Sequence, residues 1–190
     1  MDAAIQVDDV ASSVKRALDL GGSELIYGKD EDGHSQWAVL FDPNGAAFGL
    51  IPVVSAEAIP PNEGDATSVG RIAWLDLSVE NADATRDFYA EVVGWSVRNV
   101  DMQAGDEKYT DYCMLGSDGA GAAGVCHAFG VNRGLPPVWL IYLPVGDLAE
   151  SLRLVREEGG TVIKETAIDS QDAYAVIQDP LGISLGLIRG

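Results

Sequence analysis

The sequence predicts an α+β fold built from three copies of one βαβββ module. The first observation is a repeated hairpin. Phe41–Leu50 (FDPNGAAFGL) returns as Gln178–Leu187 (QDPLGISLGL), with the Asp, the Pro, both glycines and the final Leu in register. The second is that each hairpin closes a segment whose hydrophobic pattern reads strand, helix, short strand, strand, strand. The third is a segment starting at Arg71 that runs through the same order of elements.

The C-terminal copy reads most clearly. VWLIYLPV (138–145) is an apolar strand. In the stretch that follows, Leu148, Leu152 and Val155 fall at helical spacing, Asp147 stands as N-cap, and Gly159 and Gly160 stop the helix. TVIKE is a short strand, and AYAVIQDPLGISLGLIR is two strands joined at Asp179-Pro-Leu-Gly, where proline presets the turn and Gly182 accepts a positive φ. The N-terminal copy repeats this. AAIQV is its strand, the helix runs from a cap near Asp9 to Gly21-Gly22, SELIYG is its short strand, and QWAVLFDPNGAAFGLIPV is its hairpin. In the middle copy, RIAWLDLSV is the first strand. Ala84, Phe88 and Val92 make a helical stripe that ends at Gly94, and WSVRNV, KYTDYCMLG and AAGVCHAF supply the remaining strands. Aligned by their ends, the copies make Trp37, Tyr112 and Tyr174 equivalent, and likewise Gly49, Gly124 and Gly186. Residues 54–70 carry two prolines, three acids and no base, as a linker does. The expected organisation is a single module at 1–53, a linker at 54–70 and a paired-module domain at 71–190.

Composition narrows the roles. The formal charge is −18, from 30 acids against 12 bases, which disfavours nucleic acid and anionic membrane as partners. The N-terminus has no basic start followed by a signal-length apolar stretch, and no run reaches membrane-span length, so a cytoplasmic protein is expected. Cys113 and Cys126 form neither a CxxC pair nor a disulfide framework, and they are expected on adjacent strands as small buried hydrophobes. Gly119–Gly124 (GAGAAG) matches a dinucleotide fingerprint, but a strand follows it instead of a helix, so it reads as a hairpin loop and no cofactor is expected. His34 lies in a polar turn.

WLDLSVENADATRDFYAEVVGW together with the two Asp-Pro-x-Gly hairpins resembles the vicinal oxygen chelate superfamily of glyoxalase I, bleomycin-binding resistance proteins and extradiol dioxygenases. It is most similar there to the tandem glyoxalase-like antigen and hydroxylase group of actinobacteria. The resemblance implies that two modules pair into a cup that holds a small molecule. Members of the tandem group have four modules, so the 1–53 module is expected to lack a partner in the chain. It would leave one sheet face bare and pair with its twofold mate in a homodimer. A shortened N-terminus is the competing explanation.

The resemblance also locates the metal ligands of metal-using relatives. Those positions correspond here to Trp74 and Leu140 on first strands and to Gly124 and Gly186 on last strands. None has a side-chain donor for a divalent ion, so a metal-independent member is expected. Glycine inside a strand also marks a close backbone approach, which is the structural alternative. Asp76 stands two residues from Trp74 and shares its face of the strand, as Tyr142 does with Leu140. Asp76, His127 and Tyr142 are the candidate acid–base residues. Trp74, Tyr112, Gly124, Leu140, Tyr174 and Gly186 are the candidate lining for a flat organic ligand. Two functions stand open: a protein that binds or sequesters a small organic molecule, as in resistance, and a lyase, isomerase or cyclase using acid–base chemistry. A divalent-metal lyase or dioxygenase with ligands elsewhere is the third.

Overall fold

The computed structural model describes residues 3–58, 68–166 and 173–190. The expected linker at 54–70 therefore lies in part, at 59–67, outside the described residues. Three α-helices and twelve strands occur among the described residues, an α+β fold in which the βαβββ order appears three times. The described residues form two compact units, one of residues 3–58 and 77–139, the other of 68–76 and 140–190.

The first unit opens with β1 (Ala3–Val7), α1 (Val10–Asp19), β2 (Ser23–Lys29), β3 (Ser35–Phe41) and β4 (Ala47–Pro52), with strand order β1-β4-β3-β2. The Asp9 side chain caps α1 by accepting the Ser12 N–H. Val10, Val14 and Ala17 then face Leu40, Phe48 and Leu50 of the sheet, all of them buried. The same unit holds the end of β5 (Trp74–Val79), then α2 (Ala82–Val93), β6 (Ser96–Ala104), β7 (Glu107–Leu115) and β8 (Gly121–His127), ordered β5-β8-β7-β6. Asn81 caps α2 by accepting the Ala84 N–H, and Gly94 closes it at φ 85°, a conformation that favours glycine. The buried stripe of α2 is Ala82, Thr85, Phe88, Tyr89 and Val92.

Tyr89 ties the first two modules together. Its ring meets Phe48, Phe88 and Trp139 edge to face at centroid distances of 5.1–5.3 Å. Its hydroxyl donates to Asp42 Oδ2 at 3.3 Å and accepts from Trp139 Nε1 at 3.0 Å. Burial is the main force raising the Tyr89 pKa, followed by the Asp42 charge, so the phenol stays protonated and can donate. Asp42 is buried, and its Oδ1 accepts the backbone N–H groups of Asn44 at 2.8 Å and Ala46 at 2.9 Å. Asn44 in turn donates to Thr85 Oγ1 of α2 at 2.9 Å. The first Asp-Pro-x-Gly hairpin is thus docked on the helix of the second module.

The second unit contains the remainder of β9 (Trp139–Val145), α3 (Leu148–Glu157), β10 (Thr161–Glu165), β11 (Tyr174–Gln178) and β12 (Ser184–Arg189), in the order β10-β11-β12-β9. Asp147 caps α3, and Leu148 and Leu152 pack on Ala173, Ala175, Ile177 and Leu187. Here Asp179 Oδ1 accepts from Leu181 N at 2.9 Å and Ile183 N at 2.8 Å, the same turn as at Asp42 but with exposed hydrogen bonds. Gly45 at φ 86° and Gly182 at φ 90° close the two turns alike.

The two turns make a matched experiment. Asp42→Ala removes a buried carboxylate and strands the Tyr89 hydroxyl and the Ala46 N–H, so it should cost about 3 kcal/mol in urea unfolding. Asp179→Ala removes the equivalent bonds at the surface and should cost about 1 kcal/mol.

Candidate functional site

Strand pairing places one row of residues across the whole sheet of the second unit. Lys164 of β10 lies opposite Val176 of β11, Val176 opposite Gly186 of β12, and Gly186 beside Tyr142 of β9. Paired residues share a face, and the neighbours of Val176, Ala175 and Ile177, are buried under α3. The row therefore lies on the face turned away from the helix. Leu140 and Tyr174, two residues from Tyr142 and Val176, share that face by alternation.

Gly186 is shaped by its neighbour. A Cβ built there would lie 2.3 Å from Tyr142 Cδ1 and 2.5 Å from Cε1. The room that the glycine leaves is filled by the phenol ring of Tyr142, the close approach that was the structural alternative. Tyr174 meets this ring edge to face, with centroids 6.2 Å apart. In the same unit, Trp74 Nε1 donates to Asp76 Oδ1 at 2.7 Å, so the indole holds one oxygen of the carboxylate. Ala73 N donates to the Tyr142 carbonyl at 2.9 Å, which ties the start of β5 to β9. Trp74, Asp76, Leu140, Tyr142, Tyr174 and Gly186 thus all belong to one unit.

Three sequence-predicted residues belong to the other unit. Gly124 lies opposite Cys113, as Gly49 lies opposite Val39 and Gly186 opposite Val176, so the alignment of the three glycines holds strand for strand. The alignment of Trp37, Tyr112 and Tyr174 does not. Trp37 and Tyr174 stand two residues before Val39 and Val176, and the residue two before Cys113 is Asp111. Tyr112 is one residue off, and a slip of one turns a strand side chain to the opposite face. Tyr112 accordingly faces α2. Its hydroxyl donates to Asp83, and the Arg86 guanidinium lies 4.5 Å over its ring. Burial and the bond to Asp83 both raise the Tyr112 pKa.

His127 joins the same helix-side cluster. Its Nδ1 is 3.2 Å from Asp111 Oδ1, its Nε2 is 3.9 Å from Asp83 Oδ2, and its backbone N–H donates to Asp111 at 2.8 Å. Asp111 is buried and also accepts from Asn132 Nδ2 at 3.4 Å. The imidazole thus has the orienting carboxylate that the sequence did not reveal, because the slipped alignment put a tyrosine in place of Asp111. Lys164 was missed for a related reason, a break in strand alternation within TVIKE. Cys113 is buried and accepts from the Arg98 guanidinium at 3.3 Å, and neither cysteine is in a disulfide. The glycine-rich stretch is a hairpin turn closed by Gly116 N–H on the Ala120 carbonyl, after which β8 begins at Gly121.

The family model of the glyoxalase/bleomycin resistance protein/dioxygenase superfamily matches residues 71–187. The chain belongs to that superfamily. It is 28% identical over 189 residues to CFP32 of Mycobacterium bovis, whose name marks it as a candidate glyoxylase, covering 97% of this chain and 67% of that protein. It is 26% identical over 187 residues to the anthracycline biosynthesis protein DnrV of Streptomyces peucetius, covering 96% and 62%. The chain thus spans about two thirds of the length of these relatives. Among solved structures, its fold is similar to a mutant 4-hydroxymandelate synthase from Streptomyces coelicolor, with TM-score 0.53 and 14% identity over 99% of this chain and 70% of that one. It is also similar to 2,2',3-trihydroxybiphenyl 1,2-dioxygenase from Sphingomonas wittichii, with TM-score 0.51 and 13% identity over 98% and 68%.

The residues that the resemblance assigns to the ligand positions of metal-using relatives, Trp74, Leu140, Gly124 and Gly186, carry no side-chain donor for a divalent ion. Among the described residues no cluster of three or more His, Cys, Asp or Glu side chains is placed to hold one. No helix among them is long and apolar enough to cross a membrane.

The contact at Gly186 can be tested by a double-mutant cycle. Gly186→Ala should destabilise the protein by about 2 kcal/mol, because the added methyl collides with Tyr142. In a Tyr142→Ala background the same substitution should cost at least about 1 kcal/mol less in urea unfolding.

Proposed function

We propose that this chain binds a small, flat organic molecule on the helix-free face that carries Tyr142, Tyr174 and Gly186, with Trp74 and Asp76 as further lining, and does so without a resident divalent metal. The observation that carries this reading is the pair of aromatic rings, Tyr142 lying over Gly186 and Tyr174 meeting it edge to face. Tyr142 occupies the space above Gly186, and an aromatic wall suits a planar ligand better than it suits an ion. Membership of a superfamily that includes bleomycin resistance proteins supports a binding role. The similarity to DnrV, named for anthracycline biosynthesis, favours an aromatic ligand.

A second reading rests on Asp76. A carboxylate held by an indole N–H can accept or return a proton, and Tyr142 is the candidate hydroxyl in the same unit. This makes a metal-independent lyase, isomerase or cyclase the enzymatic alternative. His127 with Asp111 and Asp83 is the other acid–base candidate.

We also infer that the 1–53 module pairs with a second copy of the chain. Its helix-free face carries Ile26, Trp37, Val39 and Ile51, with Trp37 42% and Ile26 52% exposed. An apolar face of this kind is stabilised by covering it with its own twofold mate. We place this dimer in the cytoplasm.

Asp76→Asn separates the two functional readings. A binder keeps its ligand affinity within a few-fold by calorimetry, whereas an acid–base enzyme loses turnover by about 10²–10⁴-fold. The pairing is tested by sedimentation at micromolar protein. The wild type should run as a dimer and Trp37→Glu as a monomer, and a monomeric wild type overturns the pairing.

A further inference from the structure

The short strand β10 carries a register shift between Val162 and Lys164. Thr161 pairs with Gln178 and Val162 with Ile177, yet the next pair is Lys164 with Val176, so Ile163 is the extra residue of a β-bulge. Without the bulge, Lys164 would lie opposite Ala175, which is buried beneath α3. The bulge turns the lysine out of that core and onto the face of Tyr142, Tyr174 and Gly186. The first module has the same irregularity in the same place. Ser23 pairs with Phe41, Glu24 with Leu40, and then Ile26 with Val39, which leaves Leu25 as the extra residue. Ile26 is therefore the equivalent of Lys164, and the two rows read Ile26–Val39–Gly49–Ala4 and Lys164–Val176–Gly186–Tyr142. The first row is wholly apolar. The second has the same middle but a cation at one end and a phenol at the other.

The middle module supports the comparison. Cys113 stands where Val176 and Val39 stand, opposite the aligned glycine, and its partner on β6 is Arg98. The row position is thus basic in two modules and apolar in the one whose helix-free face is bare. The chain has only 12 bases against 30 acids, so a base held there by a bulge stands out from the general charge. Lys164 is half-buried, and burial lowers its pKa from the ordinary lysine range. A partly dehydrated ammonium binds an anion more strongly than one in bulk water.

We propose that Lys164 is the specificity-determining residue of this site and that the ligand is an aromatic anion, a phenolate, enolate or carboxylate whose negative oxygen meets the ammonium while its ring lies against Tyr142 and Tyr174. This rests on the binding reading above and names the ligand class for it.

The test uses two fluorescent probes with the same ring system, anilinonaphthalene sulfonate, an anion, and phenylnaphthylamine, which is neutral, titrated into the full chain. Wild type should bind the sulfonate more tightly than the neutral amine, and only the sulfonate should weaken as salt rises. Lys164→Gln should lower sulfonate affinity about tenfold and leave the neutral probe unchanged, and Lys164→Arg should retain most of the sulfonate affinity. Tyr174→Ala should weaken both probes, which ties the signal to this face. If Lys164→Gln leaves both affinities unchanged while Tyr174→Ala weakens both, the face binds aromatics and the role of Lys164 is overturned. If wild type shows no salt dependence for the sulfonate, that role is overturned even when Lys164→Gln does not fold. If wild type binds neither probe, or Tyr174→Ala alters neither, the binding reading itself falls.

Discussion

The hydrogen bond between the Tyr89 hydroxyl and the buried Asp42 carboxylate is the constraint on which the first two modules depend. A carboxylate in an apolar interior is costly unless donors surround it. Asp42 is surrounded by two backbone N–H groups of its own turn, the Asn44 amide and the Tyr89 phenol. The Trp139 indole supplies the phenol with the donor that its oxygen then needs. Because these groups come from β3–β4, from α2 and from the start of β9, the turn cannot shift without stranding polar atoms. The ring cluster around Tyr89 adds apolar burial to the same joint. The equivalent Asp179 makes the same turn with its bonds exposed, so the motif serves there only to close a hairpin.

Register, and not composition alone, separates the helix side of each sheet from the other. In the last module, α3 covers Ala175, Ile177 and Leu187, while the alternate residues Val176, Gly186, Tyr142 and Tyr174 lie on the opposite face. The three aligned glycines stand at the equivalent strand position of each module. At Gly186 the reason is visible: the Tyr142 ring lies where any side chain would sit. The first module uses the same device on its β2–β3 pair, where the Trp37 ring lies on Gly28, whose added Cβ would be 2.4 Å from Trp37 Cε2. A backbone without side chain therefore serves in both sheets as the floor beneath an aromatic ring.

Two polar arrangements are built into these modules. One is the Asp76 carboxylate held by the Trp74 indole. The other is the chain Asp111–His127–Asp83–Tyr112 in the middle module, where a buried carboxylate fixes the imidazole and a phenol bonds the outer aspartate. The latter draws on residues distant in sequence, and it depends on strand pairing being correct to a single residue.

The three helices with their caps at Asp9, Asn81 and Asp147, the Asp-Pro-x-Gly turns, the threefold βαβββ order and the line of glycines were legible in the chain itself. Helical periodicity, capping chemistry and the φ of glycine are local, so each leaves its mark within a few residues. Superfamily membership was legible for the same reason, since its signature is a local strand–helix pattern. What only the tertiary structure decided was which face each strand residue takes. The bulge that turns Lys164 outward adds no recognisable letter to TVIKE, and the single-residue offset that sends Tyr112 to α2 and puts Asp111 beside His127 is invisible without the partner strand. Alternation has a period of two, so an error of one residue inverts every assignment, and hydrogen bonding to a neighbouring strand is what fixes the count.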